Sequence, residues 1–224
     1  MNHVLRASGW RLALVTSGVL LALGGRMHPE ADAADSATQE LATMTADERW
    51  VPGHTLILAS TVLLAAGLWL VLRGRVWPRR VDGTLRIAAV TISLYVVETV
   101  FHLAASVDSD ELAAGESAPI AWAHLGLSAF LYPASGLALA YLGASLFAAW
   151  RGPRRLLALP GIVAGTAHAL SVPATILLPD AELSPVFAGA ALTLALWSVL
   201  LGLASAPYRR PVVAVPAPEA ASQH

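Results

Sequence analysis

The sequence predicts an all-α protein, a polytopic integral membrane bundle of six transmembrane helices. Hydrophobic residues make up 56% of the 224 residues and charged residues only 13%, whereas an ordinary soluble domain carries about 25% charged residues. The mean hydropathy is +0.63, and the apolar residues occur in runs of about 20, the length that an α-helix needs to cross a bilayer. The lipid bilayer is therefore the expected partner, and the net charge of −1 gives no indication of nucleic acid.

Six apolar segments account for the predicted helices. They cover residues 10–27, 51–73, 84–106, 118–150, 156–178 and 184–206. Together they form one predicted domain, 1–206, and the Pro-containing tail 207–224 is predicted to be disordered. The acidic connection 29–50 is expected to hold at most a short helix, at 36–44, and no stable outer domain.

The first segment has two interpretations. Arg6 and Arg11 precede its apolar core, and residues 31–33 have the small-residue pattern of a signal-peptide cleavage site. Arg26 and His28, however, lie where a cleavage region is usually small and neutral. The sequence favours a retained helix, and the alternative is a cleaved signal peptide that leaves five transmembrane helices.

The distribution of arginine predicts the orientation. Of the 14 basic residues, all of them Arg, 12 fall at one end of the predicted bundle: near the N-terminus, at 73–86, at 151–155 and at 209–210. The other connections are acidic. The positive-inside rule therefore predicts that both termini are cytoplasmic and that the acidic connections face outward. The use of Arg without Lys and the high Ala content are typical of a high-GC bacterium, so the expected location is a bacterial plasma membrane.

Two missing residue types exclude several function classes. The chain has no cysteine, which excludes disulfides, thiolate metal sites, iron–sulfur clusters and covalent c-type haem. It also has no lysine, which excludes a Schiff-base pigment of the retinal type.

An acid and an imidazole interrupt the third apolar segment. Glu98 and His102 are four residues apart, so on a helix they share a face, and Thr91, Tyr95 and Ser106 extend that face. A charged side chain at mid-bilayer costs roughly 2.5–3.5 kcal/mol on insertion scales, which makes such a residue a functional candidate. A buried glutamate is suited to proton transfer, so Glu98 is the candidate catalytic residue.

The remaining internal histidines are predicted to join this face. The predicted topology places His28, His54 and His124 at the outer ends of their segments and His168 near the middle of the fifth. Polar faces in a bilayer point into the bundle, so one outward-facing cavity with Glu98 at its floor is expected. The predicted cofactor ligands are His54, His102, His124 and His168, and the predicted metal ligands are these four with His28 and Glu98.

Imidazole is the commonest protein ligand for Zn, Cu and haem iron, so the predicted cofactor is haem b or a Cu/Zn ion. The run from Glu98 to His102 resembles the Glu-x-x-x-His element of haem A synthase-type membrane proteins, which are helical bundles with histidines clustered toward the outer face. The resemblance covers five residues. It implies that His102 ligates haem and that Glu98 assists the chemistry.

Three classes of function fit these features. The first is a cofactor protein, a redox or metal-dependent enzyme with an outward-facing His/Glu site. The second is a small proton-coupled transporter or sensor that uses Glu98 and His168. The third is a membrane scaffold or assembly protein without a cofactor. A homo-oligomer or a partner in a membrane complex is compatible with each.

Overall fold

The computed structural model describes residues 2–29, 37–178, 181 and 183–204. All regular elements in these ranges are helical, and six of the helices are long and apolar enough to cross a membrane. The predicted all-α bundle of six spans is therefore confirmed. The tail 207–224 and the possible cleavage site at 31–33 lie outside the described residues, and the orientation in the membrane stays a prediction.

The described ranges contain eight α-helices: α1 Asn2–Met27, α2 Ala37–Ala46, α3 Trp50–Gly74, α4 Asp82–Ala104, α5 Ser109–Ala114, α6 Pro119–Ala149, α7 Leu159–Leu177 and α8 Ser184–Ala204. Short 3₁₀ helices, Arg79–Val81, Ala105–Asp108 and Gly152–Ala158, join some of them. Five of the six predicted segments agree with the observed helices to within three residues at each end, and α1 begins at Asn2 instead of residue 10. Pro119 opens α6, a position that needs no amide hydrogen and suits the fixed φ of proline.

The six spanning helices form a closed ring. Each packs against the next spanning helix along the chain, in the order α1, α3, α4, α6, α7 and α8, and α8 returns to pack on α1. Consecutive spans run in opposite directions: Gly24 near the end of α1 lies against Gly53 at the start of α3, whereas Leu14 of α1 lies against Gly67 farther along α3. The side chains that face into this ring come from every spanning helix, and exposed Leu and Val side chains such as Leu137, Leu196 and Val163 cover the outside.

The interior holds two hydrophobic clusters. The larger one includes Leu68, Leu142 and Trp197 and fills the ring. The smaller one contains Leu41 from α2, Trp50 from α3 and Leu112 from α5, among others. Helices α2 and α5 pack on each other, so they form a small cap over the end of the bundle at which α3 begins. The sequence predicted only a short helix at 36–44 in this region.

Helices α6 and α7 approach each other through glycine. A Cβ at Gly136 would overlap the backbone of Gly165 and Ala169, and a Cβ at Gly165 would overlap the backbone of Gly136 and Ala140. Small residues of this kind allow transmembrane helices to pack backbone to backbone. This contact fixes the rotation and depth of α7 against α6.

We expect Gly136→Ala to lower stability by about 1–3 kcal/mol, because overpacking must separate the two helices. Gly126→Ala in the same helix is the matched control: a Cβ there meets nothing within 4 Å, and alanine is the better helix former. Thermal unfolding of the detergent-purified proteins measures both changes. Equal unfolding temperatures for the two variants would contradict the proposed role of the contact.

Candidate functional site

Neighbouring helices of the ring bring ionisable side chains to one end of the bundle. His28 directly follows α1, His54 lies in the second turn of α3, and His124 lies in the second turn of α6. Glu98 and His102 lie near the C-terminal end of α4. Because α1, α3, α4 and α6 are consecutive in the ring, these five side chains meet under the cap.

Three imidazoles form the first group, which we call the three-histidine group. His28, His54 and His102 each offer one ring nitrogen, and the three nitrogens lie within 4.8 Å of one another. The ring centroid of His54 lies 5.0 Å from that of His28 and 4.4 Å from that of His102. His54 is 1% exposed, whereas His28 and His102 are half-buried. The group therefore extends from the partly open edge of the site inward.

Backbone carbonyls set the tautomers of two of these rings. Nδ1 of His54 lies 2.8 Å from the carbonyl oxygen of Trp50, and Nδ1 of His28 lies 2.8 Å from that of Pro29. A carbonyl oxygen only accepts, so each Nδ1 must carry the proton, and in the neutral ring Nε2 keeps the lone pair. Nε2 of His54 is buried without a hydrogen-bond partner among the described residues. A ring held by one N–H and open at the other nitrogen is the usual arrangement of a metal ligand.

Burial also favours the neutral form of His28, the histidine that lies just beyond the first span. Its pKa is lowered chiefly by removal from water, and the hydrogen bond to Pro29 opposes that change.

Trp50 packs against the rings of the three-histidine group. It is completely buried, and its ring centroid lies 3.9 Å from that of His54 and 5.3 Å from that of His102. Its Nε1–H donates to the carbonyl of Leu103 at 3.2 Å, which ties α3 to the end of α4. Trp50 is not among the site residues predicted from the sequence. Its spacing of four residues from His54 is the signal that places both on one face.

Glu98 is the centre of the second group, the glutamate group. Glu98, His102 and His124 each offer one ligand atom, again within 4.8 Å of one another. Oε1 of Glu98 lies 2.9 Å from Nδ1 of His124 and 3.6 Å from Nδ1 of His102. Glu98 is 0% exposed.

The short contact between Glu98 and His124 is not a well-formed hydrogen bond. Despite the separation of 2.9 Å, neither carboxylate oxygen of Glu98 nor Nδ1 of His124 has a partner in hydrogen-bond geometry among the described residues. The two atoms are close but not aligned on each other. A buried carboxylate without a well-formed hydrogen bond is costly, so a positive charge beside Glu98, either a protonated imidazole or a bound cation, would stabilise it.

His168 does not join either group. Its ring stacks on Tyr132 with centroids 4.5 Å apart and meets the edge of Tyr95 at 5.1 Å. Tyr95 lies one turn before Glu98 on α4, so this aromatic cluster is deeper in the bundle than the glutamate group. Of the six predicted metal ligands, the structure therefore brings five together and places His168 apart.

Asp108 fixes the helix that carries His124. Its Oδ2 accepts the backbone N–H groups of Ile120 at 2.6 Å and Ala121 at 3.0 Å, and the residue is 5% exposed. These amides belong to the first turn of α6, where a helix lacks internal acceptors. The sequence predicted only that this connection is acidic, without a role for Asp108. The 3₁₀ helix that follows α4 ends at Asp108. The hydrogen bonds of Asp108 therefore also couple the position of His124 on α6 to that of His102 on α4.

Comparison with protein-family models, with curated proteins and with solved structures finds no match to the chain. The geometry of the site must therefore indicate its function.

We expect Asp108→Ala to lower stability by about 1–2 kcal/mol, because the first turn of α6 loses its acceptor. Asp108→Asn keeps a side-chain carbonyl oxygen and should lose less. Asp110→Ala removes the same charge from an exposed position of the same connection and should leave the unfolding temperature unchanged. A loss as large for Asp110→Ala as for Asp108→Ala would show that charge, and not capping, is responsible.

Proposed function

We propose that the chain is a membrane-embedded metal-binding protein in which Glu98, His102 and His124 hold a transition-metal ion such as zinc or copper. The observation that carries the proposal is the fully buried carboxylate of Glu98, whose two oxygens lack hydrogen-bond partners among the described residues. An ionised group in such a place needs a compensating charge. A cation shared with the two imidazoles supplies that charge and uses the lone pairs that the side chains leave open.

The donor set favours a borderline metal. Imidazole nitrogen and carboxylate oxygen suit Zn²⁺, Cu²⁺ and related ions, whereas all-oxygen sites suit Mg²⁺ and Ca²⁺. Two histidines and a glutamate leave a coordination position for water or substrate, as in catalytic zinc sites. A metal-dependent reaction is the corresponding activity, and when bound the ion would supply Lewis acidity or an activated water.

The packing of the imidazole rings favours a metal ion over haem b. The rings of His102 and His124 are stacked, with centroids 4.0 Å apart and an interplanar angle of 25°, and His54 packs on His102 in turn. A haem held by His102 and His124 together would have to lie between their two rings. The observed rings are in direct contact, so a haem would require the helices to separate.

The two groups offer alternative positions to one ion. A neutral imidazole has a single lone-pair nitrogen, so His102 can ligate an ion in the three-histidine group or in the glutamate group, but not in both. The three-histidine group includes the half-buried His28, whereas Glu98 and His124, the residues found only in the glutamate group, are both buried. We therefore propose that the three-histidine group receives the ion and that the glutamate group holds it.

A second candidate function is proton transfer, as in a proton-coupled transporter or sensor. The observation in its favour is the cluster of Tyr95, Tyr132 and His168. Its hydroxyl and imidazole groups lie one turn deeper than Glu98 on the same side of α4. Such groups can relay a proton away from a buried carboxylate.

The metal proposal predicts one equivalent of Zn²⁺ or Cu²⁺ in the purified protein after chelation, reloading and desalting, measured by elemental analysis. His102→Ala removes the ligand common to both groups, so its affinity should fall by more than the 10–100-fold that loss of an outer-shell partner typically causes. Glu98→Gln keeps the shape of the side chain and removes its charge, and it should weaken binding as well. Competition with a chromophoric chelator measures each affinity.

His168→Ala is the matched control for these variants, because it removes a membrane-embedded histidine that belongs to neither group. Its metal affinity should equal that of the wild type. Wild-type protein that retains no metal after reloading, or His102→Ala with undiminished affinity, would refute the proposal. A Soret band in the absorption spectrum of purified protein would establish haem instead.

The metal proposal expects His168→Ala to behave like the wild type, whereas the proton-transfer alternative expects this variant to lose activity. In proteoliposomes with an imposed pH gradient, Glu98→Gln and His168→Ala should both reduce proton-coupled flux by at least about tenfold, because each interrupts the same relay. A pH-sensitive dye inside the vesicles records the flux. Flux that is the same in wild type, in both variants and in empty vesicles would eliminate this function.

A further inference from the structure

The end of the bundle opposite to the His/Glu groups contains a pocket of about 660 Å³. One wall is the connection between α3 and α4, which contributes Trp77 and Arg79. The other wall is the connection between α6 and α7, which contributes Trp150 and Arg151. The two connections are some 70 residues apart in the sequence, so only the fold brings them together.

The pocket is lined by positive charge without acidic residues. Five arginines line it, and no Asp or Glu occurs among its described lining residues. The Arg80 side chain donates to the carbonyl of Ala149 and so joins the two walls. The guanidinium of Arg154 lies 4.7 Å from the ring centroid of Trp150. Arg75, Arg79 and Arg151 are exposed, so their guanidinium groups remain accessible to a ligand.

The aromatic residues of the pocket add unsatisfied donors. Trp77 and Trp150 are 2% and 5% exposed, and their rings meet edge to face with centroids 6.1 Å apart. Neither indole N–H has a hydrogen-bond acceptor among the described residues, although buried donors are normally paired. The lining side chains of the pocket therefore supply hydrogen-bond donors, and none of the described ones supplies a carboxylate acceptor.

The backbone of Arg75 supplies an independent indication. Arg75 ends α3 with φ +48° and is the one non-glycine residue with positive φ in the described part of the chain. Its N–H donates to the carbonyl of Leu72, and that of Val76 donates to Val71. Helices with this type of ending usually have glycine at that position, because other residues are strained there. A strained residue that lines a pocket is a sign of function.

We propose that this pocket binds a phosphate group, either the headgroup of an anionic phospholipid or a phosphate-bearing solute. Guanidinium groups match phosphate oxygens with paired hydrogen bonds, and phosphate is an acceptor-only ligand of the kind that the pocket lacks. Basic pockets between transmembrane helices bind anionic headgroups.

The test measures ligand-induced stabilisation of the delipidated full chain in neutral detergent. Thermal unfolding is followed while phosphatidylglycerol, phosphatidylcholine or inorganic phosphate is added. The double variant Arg75→Gly/Arg151→Gln removes two guanidinium groups from the pocket, and glycine at 75 also relieves the positive φ, so the variant should fold. Arg73→Gln/Arg86→Gln is the matched control. It removes two exposed arginines from the same end of the bundle, and neither lines the pocket.

We expect a saturable rise in unfolding temperature with phosphatidylglycerol or with inorganic phosphate, and no comparable rise with phosphatidylcholine. A response to phosphatidylglycerol alone identifies a lipid, and a response to inorganic phosphate identifies a solute. The apparent affinity should fall about tenfold or more in the pocket variant, since charge-assisted hydrogen bonds are lost, and should be retained in the control. No response to either probe, or equal losses in both double variants, would overturn the proposal.

Discussion

Lipid hydrocarbon offers no hydrogen bonds, so the polar side chains of a transmembrane bundle have to point inward. In this chain that constraint acts on a closed ring of helices in which sequence neighbours are also spatial neighbours. A histidine near one end of α3, α4 or α6 therefore faces a histidine of the next helix. His54, His102 and His124 meet for this reason, and Glu98 lies one turn deeper on the same face of α4. The site is a direct consequence of inward-facing polar residues and ring order.

The spans and most of the site were predictable because both follow from short-range periodicity. Apolar runs of about 20 residues determine a spanning helix, and the four-residue step from Glu98 to His102 determines a shared face. The position of His168 was not predictable in this way. Its rotation and depth depend on how far α7 slides along α6, and the backbone contact between Gly136 and Gly165 sets that relation. Gly165 belongs to α7, but the residues that it contacts on α6 are known only from the fold.

Hydrogen bonds between side chains and the backbone could not be predicted from the sequence either. The tautomers of His28 and His54 depend on the carbonyls of Pro29 and Trp50, and the start of α6 depends on Asp108 from twelve residues earlier. Each is a contact with a backbone group, and folding alone determines where that group lies. These contacts orient the side chains that carry the proposed function. The residue types of the proposed ligands can be predicted from the sequence, whereas the orientation and tautomer of each ring depend on the fold.

The same three helices serve both ends of the bundle. Helix α3 begins beside His54 and ends at Arg75, α4 runs from the arginine connection to Glu98 and His102, and α6 runs from His124 to the wall of the basic pocket. The chemistry of the two ends is opposite. One end has buried imidazole and carboxylate atoms without hydrogen-bond partners among the described residues, and the other has two such indole N–H groups in a pocket lined by arginine. A cation at the first end and an anion at the second would pair these groups, so each proposed ligand would stabilise its own end of the ring.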